Sequence, residues 1–223
     1  MTPAERWLGA MWPLIRANLP VAPARVVEIG CGPLGGFVPR LRSSGYEAVG
    51  IDPEAPDEGN YHCIEFERVE LPQPVDAVVA SISLHHVADP GDIVDRITRI
   101  LASGGALVVV EWGWENFDEA TARWCFQRLS RADTAGWLHR RRDEWAASGQ
   151  EWDDYLREWA QQEGLHSGQA LLRLLEQRFD RQLLAHGPYF FANLADTSDA
   201  DEQAAIDAGQ IRANRIDYVG RLR

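Results

Sequence analysis

Three observations in the first half of the chain predict an α/β fold built on a doubly wound, mostly parallel sheet. The apolar run Val26 to Ile29 passes directly into a glycine-rich turn, Gly30-Cys31-Gly32-Pro33-Leu34-Gly35-Gly36. A second apolar run, Glu47 to Ile51, closes on Asp52. Beyond it, the runs Val75 to Ser81 and Ala106 to Trp112 flank a segment whose Ile93, Ile97, Ile100 and Leu101 recur at helical spacing. Strand, glycine turn, helix, strand and carboxylate in that order form the grammar by which such a sheet holds an adenosine-bearing cofactor. Strands and helices alternating at this length specify parallel, right-handed βαβ units.

Taken in order, residues 4 to 18 place Trp7, Met11 or Trp12, and Ile15 on one face of an amphipathic helix that Pro20 and Pro23 end, so residues 1–19 read as an N-terminal cap helix. Arg25 to Ile29 is the first strand. A helix from about Phe37 to Ser44 stops at Gly45, a residue suited to a left-handed cap. Glu47 to Ile51 is the second strand, and a loop rich in Pro, Glu, Asp and Gly leads to a short third strand at Tyr61 to Ile64. Val75 to Ser81 is apolar enough to be buried on both faces. Asp89-Pro90 opens the next helix, Gly104-Gly105 closes it, and Ala106 to Trp112 is the fifth strand.

After Trp114 the composition turns helical, and residues 115–180 read as an inserted lid carrying Trp124, Trp137, Trp145, Trp152 and Trp159. Those tryptophans either pack helices onto the sheet or line a substrate pocket. Ser148-Gly149 breaks the helix between them. The tail offers Arg181 to Ala185 and Tyr189 to Leu194 as β candidates, a helix at Asp199 to Ala208, and a last strand at Arg215 to Leu222.

The 223 residues suffice for one such domain, 1–223, with a sizeable core. A formal charge of −12 makes nucleic acid a poor partner, because phosphate binders carry a basic face. Cys31, Cys63 and Cys125 are odd in number and lie far apart, which argues against a disulfide framework and for a cytoplasmic location. No stretch resembles a signal peptide or approaches the roughly 20 apolar residues of a membrane span, so no membrane partner is expected.

Gly30-x-Gly32-x-x-Gly35 fits a dinucleotide fingerprint, and Asp52 stands where an acid reaches a ribose diol. A nicotinamide-dependent oxidoreductase is therefore one reading. Glu28 favours another: a carboxylate at the strand tip repels a pyrophosphate and attracts the sulfonium and ammonium groups of S-adenosylmethionine. Capping of a neighbouring backbone amide is the structural alternative for Glu28.

Five segments then carry a family resemblance: Val26 to Gly32, Val49 to Asp52, Val75 to Ser81, Leu84 to Pro90, and Leu101 to Glu111. In order and spacing the chain resembles the class I S-adenosylmethionine-dependent methyltransferases, in particular their small-molecule group. The resemblance implies a Rossmann-like seven-stranded sheet with its last strand antiparallel, and S-adenosyl-L-methionine as cofactor. It implies Glu28, Gly30, Cys31, Gly32 and Gly35 at the cofactor turn, and Asp52 on the ribose hydroxyls. Glu67 would meet the adenine amino group with Phe66 beside the ring, Glu65 being the alternative register. Ala80 and Ser81 would border the methionyl part. The chain departs from the family pattern at Pro33-Leu34, an extra residue ahead of Gly35.

His85-His86 follows the fourth strand, where the resemblance places residues beside the transferable methyl. An imidazole there suits a general base, and packing is the alternative role. Some relatives bind a divalent ion with two carboxylates and a histidine at the positions of Ile82, His85 and His86, so no metal is expected. His62, His139, His166 and His186 lack zinc spacing. Glu111, Trp112 and Trp114 end the fifth strand and are pocket candidates, as are Tyr155 and Tyr189. The expected activity is in-line methyl transfer to a small-molecule acceptor, with a non-catalytic cofactor-binding subunit as a further alternative and the oligomeric state left open.

Overall fold

The computed structural model describes residues 1–71, 74–130 and 135–223; residues 131–134, inside the span read as a helical lid, lie outside the described residues. Seven strands, β1 (Arg25–Ile29), β2 (Glu47–Ile51), β3 (Tyr61–His62), β4 (Val75–Ser81), β5 (Leu101–Trp112), β6 (Phe179–Gly187) and β7 (Arg215–Leu222), form one sheet in the order β3-β2-β1-β4-β5-β7-β6. The first five pair in parallel, and β7 runs antiparallel to both β5 and β6. This is the mostly parallel, seven-stranded sheet expected, its last strand reversed and inserted inside the edge strand.

Alternation along the central strands separates two apolar cores, one on each face. Val26, Ala77, Val79, Val108 and Val110 face one side, with α1 (Pro3–Asn18) and α2 (Val38–Ser43). Val27, Ile29, Val78, Leu107 and Val109 face the other, with α3 (Pro90–Ile100) and α7 (Gly168–Arg178). Both faces being apolar is why these strands read as unbroken hydrophobic runs. Helix α1 starts with a capping box, Thr2 accepting from the Glu5 amide and Glu5 accepting from the Thr2 amide.

Three helices, α4 (Glu119–Phe126), α5 (Trp137–Ser148) and α6 (Trp152–Gln162), lie between β5 and α7. Gly149, in the left-handed region with φ +67, separates α5 from α6, so Trp137 and Trp145 come from one helix and Trp152 and Trp159 from the next, while Trp124 lies on α4. Trp145 meets Trp152 edge-on at 5.1 Å, and Trp137 and Trp159 both reach Trp112. Helix α7 packs beside α3, and Glu115 caps its start by accepting from the Gly168 and Gln169 amides at 3.0 and 2.8 Å.

Beyond shifts of one or two residues, such as β6 starting at Phe179 inside the span read as helical, three elements differ from the sequence expectation. The third strand pairs only at Tyr61 and His62. The fifth starts at Leu101 with a break in register against β4 between Val75 and Ala77, so the chain enters the strand before the Gly104-Gly105 turn. The largest difference is Tyr189 to Leu194: β-prone by composition, it forms a 3-10 turn at Phe190–Asn193. The amides of Tyr189, Phe190 and Phe191 donate instead to the fully buried Glu202 of α8 (Asp199–Asp207), at 2.8, 3.1 and 2.6 Å. Arg6 fixes the other end by donating to the carbonyls of Leu194, at 2.8 Å, and Thr197.

Glu202→Ala strands three buried amides and is expected to lower unfolding free energy by roughly 3 kcal/mol or more. The midpoint of urea unfolding measures it, and a loss under about 1 kcal/mol would remove the carboxylate as the anchor of this turn.

Candidate functional site

The carboxyl ends of β1, β2 and β4 open onto a cleft of about 490 Å3. Ile29, Gly30 and Gly32 line it from the first turn, and Ile51, Asp52 and Pro53 from the second. Glu65, Phe66 and Glu67 close one end, while Ile82, Ser83, His86, Val87 and Ala88 form the wall after β4. The position agrees with the rule that ligands of open α/β sheets bind beyond the carboxyl ends, where the strand order reverses.

Gly30 and Gly32 both have positive φ, +80 and +62. A Cβ on Gly30 would fall 2.3 Å from the Cβ of Ser83, so the turn closes against the loop after β4 only with glycine there. Gly32 differs, because nothing lies within 4 Å of where its Cβ would point. Its bare backbone therefore faces open space on the cleft wall. The Gly32 amide donates to Asp52 Oδ2 at 3.0 Å and the Glu54 amide to Oδ1 at 2.7 Å, which fixes the carboxylate at the cleft and leaves lone pairs on both oxygens.

Glu28 points elsewhere. Its Oε2 accepts from the Phe37 and Val38 amides at 2.8 and 3.1 Å, capping α2, and a Cβ on Gly36 would meet Oε1 at 2.2 Å. The side chain is 1% exposed, and burial pushes its carboxyl up to about 8 against the pull of the two amides. The amide-capping alternative thus describes its geometry, and the charge argument for a sulfonium does not rest on this residue.

After β4 the backbone turns through Ile82, a β-branched residue held at φ +52. Buried Glu111 holds this turn: Oε1 accepts from the Ser83 and Leu84 amides at 2.8 and 2.6 Å, and Oε2 meets His85 Nδ1 at 2.5 Å. Burial raises the Glu111 pKa, but His85 and the two amides outweigh it and hold the carboxyl below its usual range. His85, 2% exposed, is committed to this contact. His86 lies at the cleft wall, its pKa lowered by desolvation and by His85, so its imidazole is neutral at physiological pH. The loop before α7 is tied to the same turn. His166 donates from its backbone to the His85 carbonyl at 3.0 Å and from Nε2 to the Val87 carbonyl at 2.8 Å.

Beside this turn stands an aromatic cluster. Trp112 stacks on Tyr189 at 5.4 Å and 6°. Trp7 of α1 contacts Tyr189 and Phe191 and donates from Nε1 to Ser81 Oγ at 3.2 Å.

The structure thus brings Gly30, Gly32, Asp52, Phe66, Glu67 and His86 together on one cleft, with Glu65 beside them. Glu28, Cys31, Gly35, Ala80, Ser81 and His85 are not among its lining residues. Cys31 is buried, its thiol pushed up to about 12 by burial, and Gly35 is glycine because a Cβ would strike the Tyr61 hydroxyl at 2.3 Å. Ala80 is enclosed in the sheet and Ser81 turns toward Trp7; Ile82 and Ser83 take the wall positions expected of that pair. The positive φ at Ile82 that shifts the register has no signature in the sequence. Tyr155 of α6 donates to Glu144 of α5 and is not among the residues that line the cleft.

A glycine turn, a carboxylate fixed by two amides and the Phe66 ring share one cleft at the switch point of this Rossmann-like sheet. Residues 10–178 match the methyltransferase domain family, and the chain belongs to it, as a class I S-adenosylmethionine-dependent methyltransferase. A ubiquinone biosynthesis O-methyltransferase from Nitrobacter winogradskyi is 26% identical over 112 residues, 44% of this chain, which spans 42% of that relative's length. An S-adenosylmethionine-dependent methyltransferase from Mesorhizobium loti superposes with a TM-score of 0.56 at 20% identity, over 95% of this chain and 97% of that one. The N-methyltransferase NodS from Bradyrhizobium japonicum, in complex with S-adenosyl-l-homocysteine, superposes at 0.54 and 15% identity, over 99% and 88%. Among the described residues no helix is long and apolar enough to cross a membrane.

Because the folded carboxyl of Glu28 titrates near 8 and the unfolded one near 4.5, the folded state keeps a proton that the unfolded state has released between those values. Glu28 therefore contributes most stability below about pH 4.5, and this is lost as pH rises through 8. Glu28→Gln keeps a neutral acceptor for the α2 amides, so its stability relative to the parent is expected to grow between pH 6 and pH 9, by a few kcal/mol in order of magnitude. Urea titrations at the two pH values measure this, and a pH-independent difference would contradict it.

Proposed function

We propose that the chain transfers the methyl group of S-adenosyl-L-methionine to a small-molecule acceptor. The observation that carries the reading is the open backbone of Gly32 beside the fixed Asp52 carboxylate, with Phe66 lining the same cleft. A nucleoside fits this set: Asp52 takes the ribose hydroxyls, Phe66 lies along the base and Glu67 accepts from its exocyclic amine. Gly30 and Gly32 let the chain pass close to the methionyl part, and Ile82 and Ser83 wall it. When bound, S-adenosylmethionine supplies a methyl group on a positively charged sulfur.

The work left to the protein is alignment and exclusion of water. Helix α1 and the helices of 115–180 act as the lid, with the Arg6 bonds holding α1 down over the aromatic turn. His86 accepts the acceptor's proton at an imidazole nitrogen, and its lowered pKa keeps it ready to do so at neutral pH. Glu111 and His85 position it by fixing the turn. The acidic surface speaks against a nucleic-acid acceptor, and the O-methyltransferase relative supports a small one.

S-adenosylhomocysteine is expected to bind in calorimetric titration, and Asp52→Ala to weaken it by about 1 to 3 kcal/mol; unchanged affinity would remove Asp52 from the site. His86→Gln is expected to lower kcat about 100-fold while leaving S-adenosylhomocysteine affinity within about twofold. In the parent enzyme kcat/KM is expected to climb with pH through a value below the ordinary imidazole pKa of about 6.5 and then level off. A profile without that limb would exclude His86 as the base.

A further inference from the structure

The end of the cleft that carries Phe66 and Glu67 is one 3-10 turn, Phe66–Arg68, reached from the two-residue strand β3. Two backbone bonds close the turn on itself, from the Arg68 amide to the Glu65 carbonyl at 3.0 Å and from the Val69 amide to the Phe66 carbonyl at 3.3 Å. Its ion pair, Arg68 with Glu65, is exposed and spans three residues, so it fixes little. Phe66 and Val69 are buried in the same apolar core as α3, but such packing is non-directional. Among the described residues one hydrogen bond ties residues 65–71 to another element: Arg96 of α3 donates from Nη2 to the Val69 carbonyl.

The same guanidinium lies over the Phe66 ring, 5.9 Å from its centroid. Arg96 therefore grips the turn at both ends, by the ring of its first residue and by the carbonyl that follows its last. Helix α3 is a firm anchor, because Ile93, Val94 and Ile97 are buried. It also continues the opposite wall: Val87 and Ala88 line the cleft, and Asp89 caps the helix by accepting from the Gly91 and Asp92 amides at 2.8 and 3.2 Å. One helix is thus joined to both walls. The grip carries a cost, since Arg96 Nε is buried and has no partner among the described residues. A guanidinium supplies a flat cation for the ring and a directed N–H for the carbonyl from a single planar group.

We propose that Arg96 is a positioning residue for the adenine base of the cofactor, setting Phe66 and Glu67 in register with it and so deciding which base the cleft accepts. This rests on the methyltransferase reading above, in which Phe66 lies along the base and Glu67 accepts from its exocyclic amine. Arg96 is not among the lining residues, so it acts through the two that are. A carboxylate accepts from an amine only at about 3 Å and in line, so choice between an amine and a carbonyl at that place on the base reports where the turn stands.

The test is calorimetric titration of the full chain with S-adenosylhomocysteine and with S-inosylhomocysteine, its deaminated analogue, which has a carbonyl in place of the adenine amine. The parent chain is expected to bind the adenine compound about tenfold tighter, because the Glu67 carboxylate accepts from the amine and repels the carbonyl. Arg96→Met, which keeps a long stem without cation or donor, is expected to bring that ratio below about twofold. Arg96→Lys keeps a cation that cannot cover the ring and reach Val69 together, so about threefold should remain, and this variant decides the matter where Arg96→Met does not fold. Weaker binding of both compounds in the same proportion is what a merely structural arginine gives. That result, or a full preference surviving in either variant, would overturn the proposal. Binding of S-adenosylhomocysteine by the parent without discrimination would remove the base site and the role of Arg96 while leaving the transferase; binding of neither compound would sink the transferase reading itself, and this proposal with it.

Discussion

Backbone amides at the carboxyl edge of the sheet must be paired, and in this chain carboxylates pair them. Where a parallel strand ends its ladder stops, and the next few N–H groups have no strand to bond. Glu28 takes Phe37 and Val38, Asp52 takes Gly32 and Glu54, Glu111 takes Ser83 and Leu84, Glu115 takes Gly168 and Gln169, and Glu202 takes three amides in the aromatic turn. Four of these five acids draw on amides far along the chain, so each closes one loop onto another. Glu115 holds the start of α7, where the helix dipole favours an anion, whereas Glu28 holds that of α2 as a neutral acid below about pH 8. Part of the acidic excess is thus internal structure and not a solvated coat.

The same arrangement explains which parts of the molecule the amino-acid pattern reveals. Strands β1, β4 and β5 are legible because burial on two faces demands largely apolar runs, and the glycine turn because its dihedrals favour glycine. Asp52 is legible because it follows β2 directly and has nowhere to go but the cleft. Glu28 is not: a carboxylate at a strand tip reads as a charge offered to a ligand, and only the fold shows that two amides of α2 lie nearer. Tyr189 to Leu194 has strand propensity, but its amides belong to Glu202, thirteen residues on from Tyr189. Tertiary pairing overrode local preference there.

The histidine doublet shows how a short turn separates like residues. His85 and His86 are consecutive in a 3-10 turn, with ring centroids 4.2 Å apart. The sequence offers no reason to prefer either. Glu111, twenty-five positions beyond His86, makes the choice by binding His85, which leaves His86 on the wall of the cleft. The carboxylate that shapes the β4 turn therefore also assigns the two imidazoles, one to support and one to the open side.

That turn lies between the cleft and the aromatic cluster. The cleft is built at the carboxyl ends of β1, β2 and β4, elements whose geometry the sheet fixes. Beside it, α1, the loop before α7 and the aromatic turn are held by single bonds: Trp7 to Ser81, Arg6 to the carbonyls of Leu194 and Thr197, and His166 to those of His85, through its backbone, and Val87, through its ring. Helices pinned at single points can be re-shaped between relatives without disturbing the sheet, since loops and inserts tolerate change that a doubly buried strand does not. Trp112 lies on the boundary, a sheet residue whose indole faces the lid, stacked on Tyr189 and bordered by Trp137 and Trp159. Side chains of α5 and α6 therefore meet the sheet at one fixed point, the Trp112 indole, which Trp137 approaches from α5 and Trp159 from α6.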